Sequence, residues 1–190
     1  LTYYIIYVVG DFRVIATVFT SMTIAQLIGT LTVPWGTKTF TKKGYLIILN
    51  VIMCIGFFLL FINPHCNQTY LLVVSFICGL TNSASAICPG MVSDCIEYGD
   101  WKLGRRQEGI AASMLSFGVK LSTAISGSAG VLLLSAAGYV ANAEQTPAAQ
   151  QGINIVVNLV PLIVAALSIV PLLFYKLTPK KVEEIRADLD

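Results

Sequence analysis

The sequence contains little charge. Only 12% of its 190 residues are Asp, Glu, Lys or Arg, whereas soluble proteins average about 25%. The hydrophobic fraction is 56% and the mean hydropathy is +0.77. This composition excludes an ordinary soluble domain. The net charge of +2 is too small to argue for a nucleic-acid partner, and none is expected.

The sequence also lacks the residue patterns of enzymes and metal sites. It has one histidine, His65, and five cysteines without a Cys-x-x-Cys pair. No nucleophile elbow, Walker loop or HExxH motif is present. Cysteines within apolar sequence are interpreted as small hydrophobic residues, and His65-Cys66 as a loop tip. We therefore expect no enzyme activity, no metal site and no cofactor.

Long apolar stretches are abundant, and they are long enough to cross a hydrocarbon core about 30 Å thick. The sequence thus predicts an all-α, polytopic membrane protein. The first apolar run is about half the length that a spanning helix needs, so we expect it to be the end of a truncated helix. The bundle is expected to occupy residues 1–176, followed by a cytoplasmic tail at 177–190, with spans at 1–9 (partial), 14–34, 45–62, 70–96, 109–139 and 153–175.

Basic residues alternate between the links that join these spans. They occur in the link 36–44, in the link after residue 96 and in the tail. The three links that would lie on the other side of the membrane contain no Lys or Arg except Arg13. Loops rich in Lys and Arg remain in the cytoplasm. This alternation predicts that the link after residue 96 and the C-terminus are cytoplasmic.

Polar side chains follow one face of three spans. In the second span Gln26 lies on a stripe with Thr23 and Thr30, and in the fourth Asn82 lies on a stripe with Ser75 and Pro89. Such stripes face a bundle interior or a water-filled cavity rather than lipid. Because proline removes a backbone donor, Pro89 also predicts a bend. The fifth span carries a similar face, formed by Ser113, Ser116, Lys120, Thr123 and Gly127.

Lys120 lies deep in the fifth span. It stands about 11 residues from the start of that span, or roughly 16 Å along a helix, close to mid-bilayer. Snorkelling covers only part of this distance, and charges at such depth are costly and usually functional. We expect a cation in a cavity that binds a polar substrate or pairs with a carboxylate. No carboxylate of this sequence lies at comparable depth.

Seven charged residues cluster around the end of the fourth span, and the cluster has two interpretations. One is a solvated loop. The other is a network of charge pairs that holds helices together on the cytoplasmic side in one conformation only. Asp94 and Glu97 share a helical face and could meet basic residues of another segment. The cluster consists of Asp94, Glu97, Asp100, Lys102, Arg105, Arg106 and Glu108.

The segment from Asp94 to Ile110 has the pattern D-x-x-E-Y-G-D-W-K-x-x-x-R-x-E-G-I. It resembles the charged link between the tenth and eleventh helices of the glycoside–pentoside–hexuronide:cation symporters. This family belongs to the major facilitator superfamily and includes the melibiose permease. The segment Tyr7–Asp11 is similar to the exit of the family's seventh helix. Residues 138–147 with Gly152 are similar to its last periplasmic link.

The resemblance implies the C-terminal six-helix half of a sugar:cation symporter that works by alternating access in a bacterial cytoplasmic membrane. Its partners would be the lipid bilayer, a sugar or glycoside, and an N-terminal six-helix half. The coupling cation, H⁺ or Na⁺, would be bound mainly by that other half. Leu115 stands where a polar side chain is expected, which leaves the sugar open. The substrate contacts expected in this chain are Lys120, with Ser116, Asn82 and Gln26.

Two other classes of function stay open. One is a facilitator-superfamily carrier for another solute, such as a drug or an organic acid. The other is a membrane scaffold or sensor that transports nothing. A scaffold needs no polar stripe at mid-depth, whereas this sequence has such stripes on three spans, so the stripes favour a carrier.

Overall fold

The structure, a computed structural model, describes residues 2–10, 13–64, 67–140, 143 and 145–189. Within these ranges the secondary structure is helical and contains no strand, so the predicted all-α fold is confirmed. His65 and Cys66, interpreted above as a loop tip, lie outside the described residues. So do several members of the family-like segments, namely Asp11, Ala141, Asn142 and Glu144.

Seven helices, numbered in chain order, make up the described part of the chain. Four helical stretches are long and apolar enough to cross a membrane: Val14–Ile62, Gln68–Leu103, Glu108–Ala136 and Pro147–Phe174. The first of these is two helices joined at a break. The seven are α1 (Thr2–Tyr4, continued by the π-helical turn Ile5–Val9), α2 (14–40), α3 (42–62), α4 (Gln68–Leu103), α5 (Glu108–Ala136), α6 (Pro147–Phe174) and α7 (Pro179–Leu189).

The chain folds back at Thr41, between α2 and α3. Thr41 has φ 66° and ψ 155°, a region that non-glycine residues rarely adopt. Its hydroxyl accepts a hydrogen bond of 3.2 Å from the Gly44 N–H, which caps the start of α3. The hydroxyls of Thr32 and Tyr45 lie 2.7 Å apart across the break. A continuous helix would separate them by about 20 Å, so the two helices form a hairpin.

The sequence predicts a bend at Pro89, and the structure has an irregular turn just before this proline in α4. Residues Asn82–Ala86 form a 3₁₀ turn between the α-helical parts Gln68–Thr81 and Ile87–Leu103. Since Pro89 has no N–H, the carbonyl of Ser85 lacks its usual helical donor, and the backbone there leaves α-helical geometry. The irregular turn begins at Asn82, one of the residues expected to contact a substrate.

The core lies where α1, α2, α3, α4 and α6 meet. Close approach of α2 and α4 is achieved through glycine: a Cβ at Gly79 would stand 2.6 Å from the carbonyl oxygen of Met22 and 2.8 Å from the Cβ of Ala25. Small residues permit this kind of backbone contact between membrane helices. The buried apolar side chains of this core include Tyr4, Ile5, Val14, Val18, Leu60, Leu71, Val74 and Ile153.

We expect Gly79→Ala to destabilise the protein by about 1–3 kcal/mol, because the added methyl group must push α2 away from α4. Thermal unfolding of the intact protein in detergent measures this loss. Gly118→Ala on α5 is the matched control, since no atom lies within 4 Å of a Cβ built there. That control should be neutral or slightly stabilising, by up to about 1 kcal/mol. Equal stability of the two variants would contradict the close packing of α2 and α4.

Helix α5 stands apart from the rest of the bundle. Among its 29 residues only Leu134 is buried. Large apolar side chains along its length remain exposed, among them Met114, Phe117 and Val131. Because an apolar helical surface of this size is not stable in water, it requires lipid or further protein around it. The two α5 residues expected to contact a substrate, Ser116 and Lys120, lie in this exposed stretch.

Candidate functional site

Gln26 of α2 and Asn82 of α4 are brought together by the glycine contact between these helices. The amide nitrogen of Asn82 donates to the side-chain oxygen of Gln26 at 3.4 Å, a long and weak hydrogen bond. Thr23 and Thr30, on the same stripe as Gln26, donate their hydroxyl groups to carbonyls of their own helix. In the described part of the chain, the remaining amide groups of Gln26 and Asn82 have no partner and are available to a ligand.

A cavity of about 280 Å³ opens beside Asn82. It lies between α2, α3, α4 and α6. Its walls are mainly apolar, and the polar side chains among them are Ser75 and Asn82. The lining residues are Met22, Met53, Phe57, Leu60, Ser75, Cys78, Asn82, Val157 and Pro161.

Ser116 and Lys120 do not join this pair. Both side chains are exposed on α5, and within the described residues neither forms a hydrogen bond or ion pair with Gln26 or Asn82. Lys120 also has no carboxylate partner in that part of the chain. The structure therefore places the expected substrate contacts in two groups: an amide pair on α2 and α4, and a cation with a hydroxyl on α5.

Asp94 is the buried centre of a partly buried ion pair in the second half of α4. It is only 3% exposed, and the Lys42 ammonium lies 2.6 and 2.7 Å from its two oxygens. Lys42 also donates to the carbonyl of Gly90 at 3.2 Å, and the Tyr175 hydroxyl donates to Asp94 at 3.3 Å. A buried carboxylate is tolerated only with such partners. This pair ties α3, α4 and the end of α6 together.

Helix α7, which lies in the predicted tail, extends the network. The guanidinium of Arg186 donates to Glu97 at 2.7 Å and lies 3.8 Å from Asp94. Val182 and Ile185 are buried beneath the helix. The hydrogen bond to Glu97 raises the pKa of Arg186. The arginine thus stays charged throughout the physiological pH range, and its contribution to the network does not change there.

The remaining charges of the cluster behave as a solvated surface. Helix α4 continues to Leu103, so Asp94, Glu97 and Asp100 are helical and the actual link is short. Among the described residues Arg106 pairs only with Glu108, at 2.7 Å, and both side chains are more than half exposed. In the described part of the chain Asp100 and Arg105 form no ion pair. Each interpretation of the cluster therefore applies to one part of it.

Sequence reasoning missed the basic and tyrosyl partners of this network. Lys42, Tyr175 and Arg186 lie far from Asp94 in the sequence, and no spacing rule connects them. Lys43 likewise donates to the carbonyls of Leu173 and Tyr175, at 2.9 and 3.0 Å. One signal was present in the tail: Val182 and Ile185 are three residues apart, as on the apolar face of a short helix.

Several long apolar helices, a glycine-mediated helix crossing and polar side chains facing a cavity together define a multi-pass α-helical membrane protein of the carrier type. The comparison with known families agrees: the model of the MFS/sugar transport protein family matches residues 1–179. This chain belongs to that family, within the glycoside–pentoside–hexuronide:cation symporters of the major facilitator superfamily.

Relatives of similar sequence are named as transporters, carriers or importers. The chain is 31% identical to the isoprimeverose transporter of Lactiplantibacillus pentosus over 93% of its own length and 37% of the relative's. It is 31% identical to the glucuronide carrier protein homolog of Escherichia coli K12, over 99% of this chain and 42% of the relative. It is 30% identical to the putative sulfoquinovose importer of the same strain, over 96% of this chain and 40% of the relative. The chain thus spans about two fifths of each relative.

Proposed function

We propose that this chain is the C-terminal half of a secondary transporter that carries a sugar or glycoside together with a cation. The observation that carries the proposal is the Gln26–Asn82 amide pair, which two adjacent membrane helices present beside a cavity. Sugar hydroxyl groups need several donors and acceptors when they leave water, and amides supply both. The family and the names of the relatives support this substrate class.

Lys120 and Ser116 would bind the same sugar from α5. For this the exposed face of α5 has to be covered by an N-terminal six-helix half, which would form the opposite wall of the cavity. That half would also supply the carboxylates that bind the coupling cation, H⁺ or Na⁺. The proposal agrees with the share of each relative that this chain spans, about two fifths.

A carrier of organic acids is the second candidate. Lys120 favours it, because a lysine without a carboxylate partner in the described residues is suited to an anionic substrate. A sugar acid would satisfy both candidates. Neutral and acidic glycosides must therefore be tested side by side.

The Asp94 network would act as a gate on the cytoplasmic side. Alternating access requires contacts that form in one conformation and open in the other. Asp94 and Glu97 meet three separate segments through Lys42, Tyr175 and Arg186, so opening this end of the bundle would break several charged contacts at once. We place this end and α7 in the cytoplasm of a bacterial cell, because the basic links lie there.

Uptake of labelled glycosides into cells that express the intact protein tests the proposed function. The panel contains neutral glycosides and glucuronides, each measured with and without sodium and at two external pH values. Accumulation of at least one glycoside, dependent on Na⁺ or on a proton gradient, is the expected result. Uptake of none of them by a protein that is present and folded in the membrane would contradict the proposal.

Neutralising the gate should change rate more than affinity. In the variant Asp94→Asn/Glu97→Gln the sugar contacts are untouched, but the charge pairs that hold the closed state are lost. We expect the transport rate to change several-fold while the equilibrium dissociation constant of the sugar stays within about twofold. Arg106→Gln/Glu108→Gln, which removes an exposed pair of the same type, is the control and should leave both values unchanged. An equal loss of rate and binding would indicate a structural role.

A further inference from the structure

A second cavity lies at the end of the bundle where Asp94 is paired. It has a volume of about 330 Å³, and the end of α2, the start of α3, α4 and α7 surround it. It shares no lining residue with the cavity beside Asn82. Its walls are rich in charged side chains, namely Lys38, Lys42, Asp94, Glu183 and Arg186.

Two of these charges satisfy each other and leave nothing for a ligand. The ammonium of Lys42 donates to both oxygens of Asp94 and to a backbone carbonyl, so its three N–H donors are all used. The charges that remain around the cavity are Lys38, Arg186 and Glu183. Two cations against one carboxylate leave the cavity with a net charge of +1, which favours an anion.

Lys38 and Arg186 offer unused hydrogen-bond donors to this cavity. Lys38 is exposed and forms no ion pair with any other described residue. Within the same part of the chain, Arg186 donates only through Nε, to Glu97. A terminal nitrogen of Arg186 lies 3.8 Å from Asp94, which is too far for a hydrogen bond. Because a guanidinium has five N–H donors, most of those of Arg186 are available to a ligand.

An ammonium and a guanidinium at one cavity are suited to a phosphate group. The planar fork of an arginine binds two phosphate oxygens, and a lysine binds a third as a point charge. A carboxylate has only two oxygens, and the guanidinium fork takes up both of them. The cavity is larger than a single phosphate group, so it also has room for the organic part of a phosphate ester. Glu183 repels an anion here and lowers its affinity.

We propose that this cavity binds a phosphate group through Lys38 and Arg186 and that the bound phosphate regulates the carrier. Two sources share this chemistry: a soluble phosphate ester and the headgroup of an anionic phospholipid. Because Lys38 belongs to α2 and Arg186 to α7, a bound phosphate joins these helices across the Asp94 pair. It therefore holds the proposed gate closed and slows transport. This effect rests on the proposed function, whereas the binding itself does not.

Thermal unfolding of the intact protein in a non-ionic detergent tests the binding. The probes are inorganic phosphate and glycerol 3-phosphate, each compared with sodium chloride at the same ionic strength. We expect Lys38→Gln to weaken the affinity for these probes about tenfold, because a charged donor is lost. Glu183→Gln should strengthen it several-fold, because the repelling carboxylate is removed. Lys180→Gln, at an exposed lysine of α7 outside the cavity lining, is the matched control and should bind as the wild type does.

Nanodiscs of phosphatidylglycerol, compared with nanodiscs of phosphatidylcholine, distinguish the two sources. A response to the soluble probes in detergent indicates a soluble phosphate ester. Stabilisation by phosphatidylglycerol that is lost in Lys38→Gln, without a response to the soluble probes, indicates a lipid headgroup. No response to either kind of probe overturns the site. A response of equal size in the wild type, Lys38→Gln and Glu183→Gln overturns it as well.

Uptake into proteoliposomes that contain the intact protein tests the effect on the gate. The probe that binds in the unfolding experiment is supplied on the side of α7, as the soluble phosphate inside the vesicle or as phosphatidylglycerol in its membrane. We expect it to slow glycoside uptake several-fold in the wild type and to have no effect in Lys38→Gln. Equal rates with and without a probe that binds would overturn the regulation. Uptake of no glycoside at all would overturn the proposed function, and the phosphate site would still be judged by the unfolding experiment.

Discussion

Lys42→Met is expected to lower the free energy of unfolding of the intact protein by about 3 kcal/mol. The change leaves the carboxylate of Asp94 buried without its closest cation, and breaking a buried ion pair by removing one partner costs about 3–5 kcal/mol. The lower end applies because the Lys42 side chain is 37% exposed, so water screens the pair. The Tyr175 hydroxyl and the more distant Arg186 also remain near Asp94. Thermal unfolding in detergent measures the loss.

A double-mutant cycle separates the pair from its surroundings. Lys42→Met/Asp94→Asn removes both charges, so it should recover most of the stability that Lys42→Met alone loses. Arg106→Met is the control, because its pair with Glu108 is exposed and should contribute no more than about 1 kcal/mol. Additive losses in the cycle would show that Lys42 and Asp94 do not stabilise each other.

Lys120→Ala is expected to abolish sugar uptake while leaving the intact protein folded in the membrane. A hydrogen bond from a charged donor is typically worth about 1.5–3 kcal/mol, so its loss weakens substrate binding by roughly 10- to 150-fold. Folding should be unaffected, because Lys120 is exposed on α5 and pairs with no carboxylate of the described residues. Uptake of a labelled glycoside and the amount of protein in the membrane are measured together.

Lys180→Ala is the matched control for this prediction, since Lys180 is an exposed lysine of α7 and forms no ion pair in the described part of the chain. It should transport normally. Lys120→Arg keeps the charge and should retain part of the activity if the position binds the substrate. Uptake at the wild-type level by Lys120→Ala would contradict the assignment of Lys120 as a substrate contact.

Much of the candidate site could be read from the sequence because the signals were local. The stripes that contain Gln26 and Asn82 follow from helical periodicity in apolar sequence, and the structure brings these two residues into contact. The segment Asp94–Ile110 carried the family resemblance, which the family comparison confirms. The roles assigned to Lys120 and to the gate stay predictions, because no contact in the described part of the chain tests them. The first depends on the proposed N-terminal half, and the second depends on a proposed second conformation.

By itself the sequence determined the class of this protein: an all-α membrane protein of a sugar-transport family with polar faces on defined spans. These properties depend on composition, periodicity and short motifs, all of which act over a few residues. Only the tertiary structure decided which charges meet. It paired Asp94 with Lys42, placed α7 against α4 through Arg186, and divided the charged cluster into a network around the buried Asp94 and a solvated link. The physical reason is that burial and ion pairing depend on distances between remote segments, which helix packing alone fixes.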